Sequence, residues 1–286
     1  MLVEKFDRNF GGLIMLVAFL VASVASQATA QDSDKNETAK TQRSETLFKH
    51  FDQTGKELTL QADSGEAYHW NPKPLFRFST EGQFFGSVYV WTDKSDRLAV
   101  VGTIGSIPIN GRDTEFVELH LLKPQPITPL RIGNPPNKTW RPEVDKLALK
   151  DIEKAPEVST NDAVRLRQMR TLARRFSAEM IHDGQTNHLR LLPQPIFRYE
   201  KSTPDRDGAL FAFVWDNGTD PEVLLRIEAD SSGETTGWRY QPVRFTWRSV
   251  NLSLDDTQVW TMPEMLNRNL PMQTTPYLTG LTQAIP

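Results

Sequence analysis

The chain has 286 residues, of which 38% are hydrophobic and 24% charged, enough apolar surface for a core and too much for a globally disordered polymer. Lys and Arg total 33 against 36 Asp and Glu, a formal net charge of −3, so the basic excess of a nucleic-acid binder is missing. Cysteine is absent, which excludes disulfides, thiolate zinc and iron–sulfur sites, a cysteine nucleophile and a lipidated cysteine.

Residues 1–30 have the pattern of a secretory signal peptide. Lys5 and Arg8 precede an apolar run from Leu13 to Ala25, and Ala28-Thr29-Ala30 supplies the small-x-small site for cleavage before Gln31. The run is shorter than the roughly 20 residues that span a bilayer, and an uncleaved anchor is the alternative. No later stretch is apolar enough to span, so no membrane span is expected after signal cleavage. Gln31 to Thr46 contains no large apolar residue and is expected to be a disordered linker.

Residues 47–122 read as a first β unit, with strands at Leu75–Ser79, Ser87–Thr92, Leu98–Ile104 and Glu115–Leu122. Residues 123–158 are rich in proline, which predicts an extended connector, with Trp140 on it the most exposed of the tryptophans. Residues 159–286 read as a helix plus a second β unit. The helix is predicted over 161–182 from Leu166, Met169, Ala173, Phe176 and Met180 at helical spacing. Ser159 and Thr160 are N-cap candidates, and Gly184 is a stop. Strands follow at Leu189–Leu192, Ile196–Glu200, Ala209–Trp215, Val223–Ala229, Trp238–Trp247 and Thr257–Thr261, with Asp207-Gly208, Asn217-Gly218 and Ser232-Gly233 as turns. The tail after Met262 is spaced by prolines and is expected to be irregular.

The two β units match each other. Pro72-Lys73-Pro74-Leu75-Phe76-Arg77-Phe78 resembles Pro193-Gln194-Pro195-Ile196-Phe197-Arg198-Tyr199, 121 residues later. Each copy continues through a glycine into an aromatic strand, Gly86–Asp93 and Gly208–Asp216, then a polar turn and another apolar strand. Glu115–Leu122 against Val243–Val250 extends the match to a third strand. The expected fold class is α+β: mainly antiparallel sheet, two duplicated hairpin-based sheet units, one major amphipathic helix. The aromatic strands are apolar on both faces, so they are expected to be covered on both sides. Phe76 and Phe197 are expected on a buried face, with Arg77 and Arg198 opposite.

The segments RLRQMRTLARRFSAEM, LRLLPQPIFRYE and DGALFAFVWDNGTDPEVLLRIEA resemble uncharacterised exported proteins of planctomycete bacteria. The resemblance covers Pro72 to Pro263 and implies export and a shared fold. It carries no activity and no catalytic residue to this chain.

Chemistry-bearing motifs are sparse. His182 and His188 are too far apart for a helical metal pair, and Asp216, Asp220 and Glu222 depart from calcium-loop spacing. No catalytic residue, metal site or cofactor is assigned. Arg77, Arg198 and Trp140 are the candidate binding residues, although both arginines equally suit ion pairs with cross-strand carboxylates. The expected function is that of a non-enzymatic interaction protein of the envelope or periplasm, exported, with a protein or envelope polysaccharide as partner. The alternative is a hydrolase whose site assembles from distant segments.

Overall fold

Period-2 alternation, bounded by glycine and proline, becomes an α+β structure made mainly of antiparallel sheet. The computed structural model describes residues 41–80, 83–145, 147–215, 220–230 and 237–286. Residues 1–40 (which include the expected signal segment), Asp216 and the turns at Asn217-Gly218 and Ser232-Gly233 lie outside the described residues. The chain divides into two units, 1–46 and 47–286. In the first, residues 41–46 are helical, where a disordered linker was expected. Gln42, Arg43 and Glu45 are good helix formers, and the Thr46 hydroxyl donates to the Gln42 carbonyl at 3.0 Å.

The second unit opens with helical residues 47–57 (α1). This helix was not anticipated, because Leu47, Phe48 and Phe51 make too short an apolar stripe to stand out. Next come β1 (His69–Trp70), β2 (Phe76–Thr80), β3 (Phe84–Thr92), β4 (Leu98–Ile109) and β5 (Arg112–Leu121). The proline-rich stretch holds β6 (Leu130–Ile132), β7 (Lys138–Trp140) and β8 (Lys150–Asp151). After it run α2 (Asp162–Ala173), β9 (Phe176–His182), β10 (Gln185–Leu191), β11 (Phe197–Tyr199), β12 (Gly208–Val214), β13 (Pro221–Asp230) and β14 (Gly237–Arg244). The chain closes with β15 (Ser249–Leu254), β16 (Thr257–Met262), β17 (Met272–Gln273) and β18 (Tyr277–Ala284). One sheet runs β1-β3-β4-β5-β18 with β2 also on β3. The larger runs β16-β15-β9-β10-β12-β13-β14-β8 with β11 also on β12, and β17-β7-β6 form a small third sheet.

The repeat is present in the strand ladders. Phe76, Arg77 and Phe78 face Val88, Ser87 and Gly86, while Phe197, Arg198 and Tyr199 face Leu210, Ala209 and Gly208. Trp70 faces Trp91 as Leu191 faces Phe213. The repeated glycine has a steric cause: a Cβ at Gly86 would lie 2.3 Å from the Phe78 ring, and one at Gly208 would lie 2.3 Å from the Tyr199 ring. The third strand needs a correction. Thr103 faces Glu118 and Arg226 faces Gln241, so β5 corresponds to β14 and not to Val243–Val250. Similarity of composition had slid the match along the chain, whereas ladder bonds specify register.

Three apolar clusters hold the unit together. Phe51 of α1 packs with Tyr89, Trp91 and Val100 on one face of the first sheet. Met169 and Leu172 of α2 pack with Phe211, Phe213 and Tyr240 on the second. The opposite faces, with Val88, Val90, Leu210, Ala212 and Leu224, meet in a third cluster. The aromatic strands are therefore covered on both sides, as their sequence requires.

Several expectations are corrected. The helix predicted over 161–182 ends at Ala173, and its second half is strand β9. Phe176 and Met180 fit a helical spacing, but Phe176, Ala178 and Met180 also fit period 2, and pairing with β10 and β15 selects the strand. Asn161 is the N-cap, accepting from the Ala163 and Val164 amides, and Gly184 (φ 75°) serves the β9–β10 turn. The tail after Met262 is irregular only in part: residues 263–271 form no helix or strand, but β17 pairs with β7 and β18 pairs antiparallel with β5, with the prolines outside both strands. Nor is 123–158 a bare connector, since Ile127, Leu130, Ile132, Trp140 and Leu147 join the first core cluster. Phe76 and Phe197 are half-buried, and their neighbours Phe78 and Tyr199 fill the buried positions. No helix among the described residues is long and apolar enough to cross a membrane.

Candidate functional site

Two adjoining clefts lie where the repeat copies meet. The larger, of about 550 Å³, is lined by Leu98, Leu122 and Leu147 with Arg97, Lys123 and Arg226 among its polar residues. The smaller, of about 370 Å³, is lined by His69, Trp70, Asn71 and Phe197. Tyr199 and Glu200 line both. The alternation of β13 puts Glu222, Leu224, Arg226 and Glu228 on one face, the face that meets the first sheet.

At the larger cleft the polar groups are tied to each other. The Tyr199 hydroxyl donates to Glu228 at 2.5 Å, and Arg226 donates to the same carboxylate at 2.8 Å from Nε. Gln241 closes the set by donating to the Leu147 carbonyl at 2.9 Å. Burial pushes the Tyr199 hydroxyl well above its ordinary value, aided by Glu228. Burial opposes the Arg226 charge, but Tyr199 and Glu228 more than offset it, so Arg226 stays cationic. Lys123 donates to Asp93 at 2.9 Å, and Arg97 lies 3.3 Å from Glu200. The site is a preformed cradle of paired charges over an apolar floor.

On β13 beyond Leu224, a different polar group forms around Glu118, Asp220 and Glu222. Glu118 accepts from the Tyr277 hydroxyl and from Thr279 (3.3 Å), and Arg248 lies 3.8 Å from Glu222. Burial raises all three carboxyls, Glu118 to about 7, and their mutual repulsion adds to the shift in Asp220. Burial also pushes the neighbouring His120 down, to about 4.

This makes a testable sign. The folded state keeps a proton on Glu118 that the unfolded chain has released, so stability present below about pH 4.5 is lost as pH rises through 7. His120 works the other way below about pH 6.5, and its effect cancels when a Glu118 variant is compared with the parent. Glu118→Gln should be neutral near pH 4.5 and stabilising by about 1–3 kcal/mol at pH 8, the range reflecting partial solvent access. Gln241, its counterpart in the other copy, already carries the uncharged amide. Urea titrations at the two pH values check this, and an equal effect at both would refute it.

The three residues singled out from sequence do not converge. Arg77 donates to Asp52 of α1 at 2.7 Å. Arg198 donates to Asp207 at 2.9 and 2.6 Å, and Asp207 holds the guanidinium above its ordinary value. Each thus finds a carboxylate, but from a helix or from the turn before β12, not from across the strand. Trp140, expected to be exposed, is fully buried, and its ring N–H donates to the Thr275 carbonyl at 2.9 Å. The prolines around it bound a hairpin that turns the ring inward. Glu200 and Arg226 were missed; the only local signal was the charged residue set in an apolar strand at Arg226. Among the described residues no group of His, Cys, Asp and Glu could hold a metal ion. No protein-family model, curated protein or solved structure matches this chain.

Proposed function

We propose that the chain is an exported, non-catalytic binding protein of the envelope or periplasm, and that the two clefts sharing Tyr199 and Glu200 hold its partner, a protein or an envelope polysaccharide. The observation that carries this reading is that the cradle is already paired. A site whose charges are prearranged loses little freedom on binding. Purified mature protein is expected to bind envelope fractions saturably. Ala148 is an exposed residue lining the larger cleft, so Ala148→Trp fills it without touching the core. That variant should lose at least about tenfold in affinity, or about 1.4 kcal/mol. Unchanged binding would move the partner elsewhere on the surface.

A hydrolase remains the second reading, favoured by the raised carboxyls of Glu118, Asp220 and Glu222. Turnover of glycoside or ester substrates that disappears in Glu118→Gln would support it over the binding role.

A further inference from the structure

The two copies of the repeat end differently on the sheet faces that meet in the third apolar cluster. One row of the first sheet runs Phe78, Gly86, Gly105, Phe116 and Leu281 across β2, β3, β4, β5 and β18. The matching row of the second sheet runs Tyr199, Gly208, Glu228, Arg239 and Asp151. The second row is charged beyond its glycine, and Arg239 donates to Asp151 at 2.7 Å. The first row contains no charged residue. Alternation puts Thr80, Phe84, Ile107 and Thr114 on the same face one row further out, again without a charge.

Two glycines flatten this end of the first sheet. A Cβ at Gly86 would lie 2.3 Å from the Phe78 ring, and one at Gly105 would lie 2.5 Å from the Phe116 ring, so both rings lie down against the strands. Burial then changes abruptly along the face. Val88 and Thr103, one row inward, are fully buried, whereas Phe84 and Leu281 are each 42% exposed and Ile107 and Phe116 are half-buried. The opposite face of the same strands has no such gap: Phe85 and Val117 are buried in the first core cluster, where Phe48 of α1 packs on them. A row that only had to meet water would have no reason to be apolar, and its charged counterpart in the second copy has the composition that solvation favours.

The interface that the strip continues names the occupant. On this same face, Phe78, Val88, Val90 and Val101 already pack against the matching face of the second copy, at Leu210, Ala212 and Leu224. The strip extends a surface shaped to meet a repeat of itself. It is uncharged, so a two-fold pairing sets no like charges against each other. Its β2 side is also open, because among the described residues the β2 backbone pairs with β3 alone. The far border is closed: Gln273 and Asn137 side chains bond the Thr279 and Leu281 backbone of β18.

We propose that the strip at Phe84, Ile107, Phe116 and Leu281 is a self-association surface, on which a second copy of this chain docks strip against strip about a two-fold axis. The proposal goes beyond the binding role of the clefts and does not depend on it. Standard interfaces bury about 1,200–2,000 Å², more than so narrow a strip offers, so the dimer is expected to be weak and to grow with concentration.

The test is sedimentation equilibrium of the mature protein between about 5 and 500 µM, where a monomer–dimer equilibrium is expected. Phe84→Asp and Leu281→Asp should each weaken the dimer at least about tenfold, because each sets a carboxylate in an apolar contact. Leu266→Asp, at an 82% exposed leucine outside the strip, should leave it unchanged. The chain has no cysteine, so single-cysteine variants report proximity without background. An equal mixture of Phe84→Cys and Leu281→Cys proteins, treated with a bis-maleimide, should give covalent dimers well beyond those of Leu266→Cys. Urea midpoints of the aspartate variants should stay at the parent value, since both side chains are exposed, and if one variant fails to fold the other decides. A monomer across the whole range overturns the proposal. So does a folded Phe84→Asp or Leu281→Asp protein that dimerises as wild type does, or equal cross-linking through Leu266→Cys. A monomeric protein whose binding to envelope fractions is lost in Phe84→Asp also overturns it, and gives the strip to a different partner.

Discussion

Asp207→Ala should destabilise the protein by about 3–5 kcal/mol, among the largest effects of any single polar substitution in this fold. Asp207 is 0% exposed and accepts from two guanidiniums: from Arg165 Nε at 2.7 Å, and from Arg198 Nε and Nη2 at 2.9 and 2.6 Å. Arg165 is itself 1% exposed, and its remaining N–H groups donate to the carbonyls of Ser159, Thr160 and Lys201. The pair locks α2 to the turn before β12. Without the carboxylate, a buried cation faces desolvation uncompensated. The first copy provides the control. Arg77, at the matched position, bonds Asp52 with both partners a third or more exposed, so Asp52→Ala should cost no more than about 1 kcal/mol from that pair. Tyr89, which also donates to Asp52 at 2.6 Å, could add about another 1 kcal/mol. Equilibrium urea unfolding compares them. In the double variant Arg165→Met with Asp207→Ala, much of the loss should return, because the orphaned charge is gone. An Asp207→Ala protein within 1 kcal/mol of the parent would show that the pair is not what holds the helix.

The second large effect is a matched pair of core truncations. Trp91 and Phe213 occupy equivalent ladder positions, facing Trp70 and Leu191, and both are essentially inaccessible to solvent. Each lies in the cluster between its sheet and its helix. Trp91→Ala and Phe213→Ala should each cost about 3–5 kcal/mol, transfer free energy plus the cavity left behind. Phe76→Ala and Phe197→Ala, at the half-buried matched positions, should cost about 1–2 kcal/mol each and should agree with each other. The equality within each pair matters as much as the size. A dispensable Trp91 beside an essential Phe213 would mean that the two copies bear load differently despite their common register.

The matched arginines show how far sequence carries. That Arg77 and Arg198 share a place in the repeat is legible in PLFRF and PIFRY, because strand alternation is local. That one is exposed and paired to a helix while the other is locked to a buried aspartate is not legible, since Asp52 and Asp207 lie on opposite sequence sides of their arginines. Arg165 reads in sequence as one more charge on a basic helix, yet it is the charged residue most fully enclosed there. Glu200 carries no local mark either. Its departure from the repeat lies in its left-handed backbone and its contact with Arg97, which local sequence does not show.

Sequence by itself determined the strands of the repeated hairpins, the two-copy plan, the double-sided burial of the aromatic strands and the placement of Gly86 and Gly208. Each follows from residue periodicity, or from a self-match, within one or two adjacent elements. Tertiary structure alone decided that 176–182 is strand, that Trp140 is core, that β18 returns to β5, and that Glu118 and Gln241 are counterparts with different charge. These depend on which distant segments meet. Loop closure costs only about 0.6 kcal/mol per doubling of length, so separation along the chain scarcely restricts such meetings. The clefts at Tyr199 and Glu200 belong to this second group, because they exist only where two copies, each complete in its own strand pattern, are packed against one another.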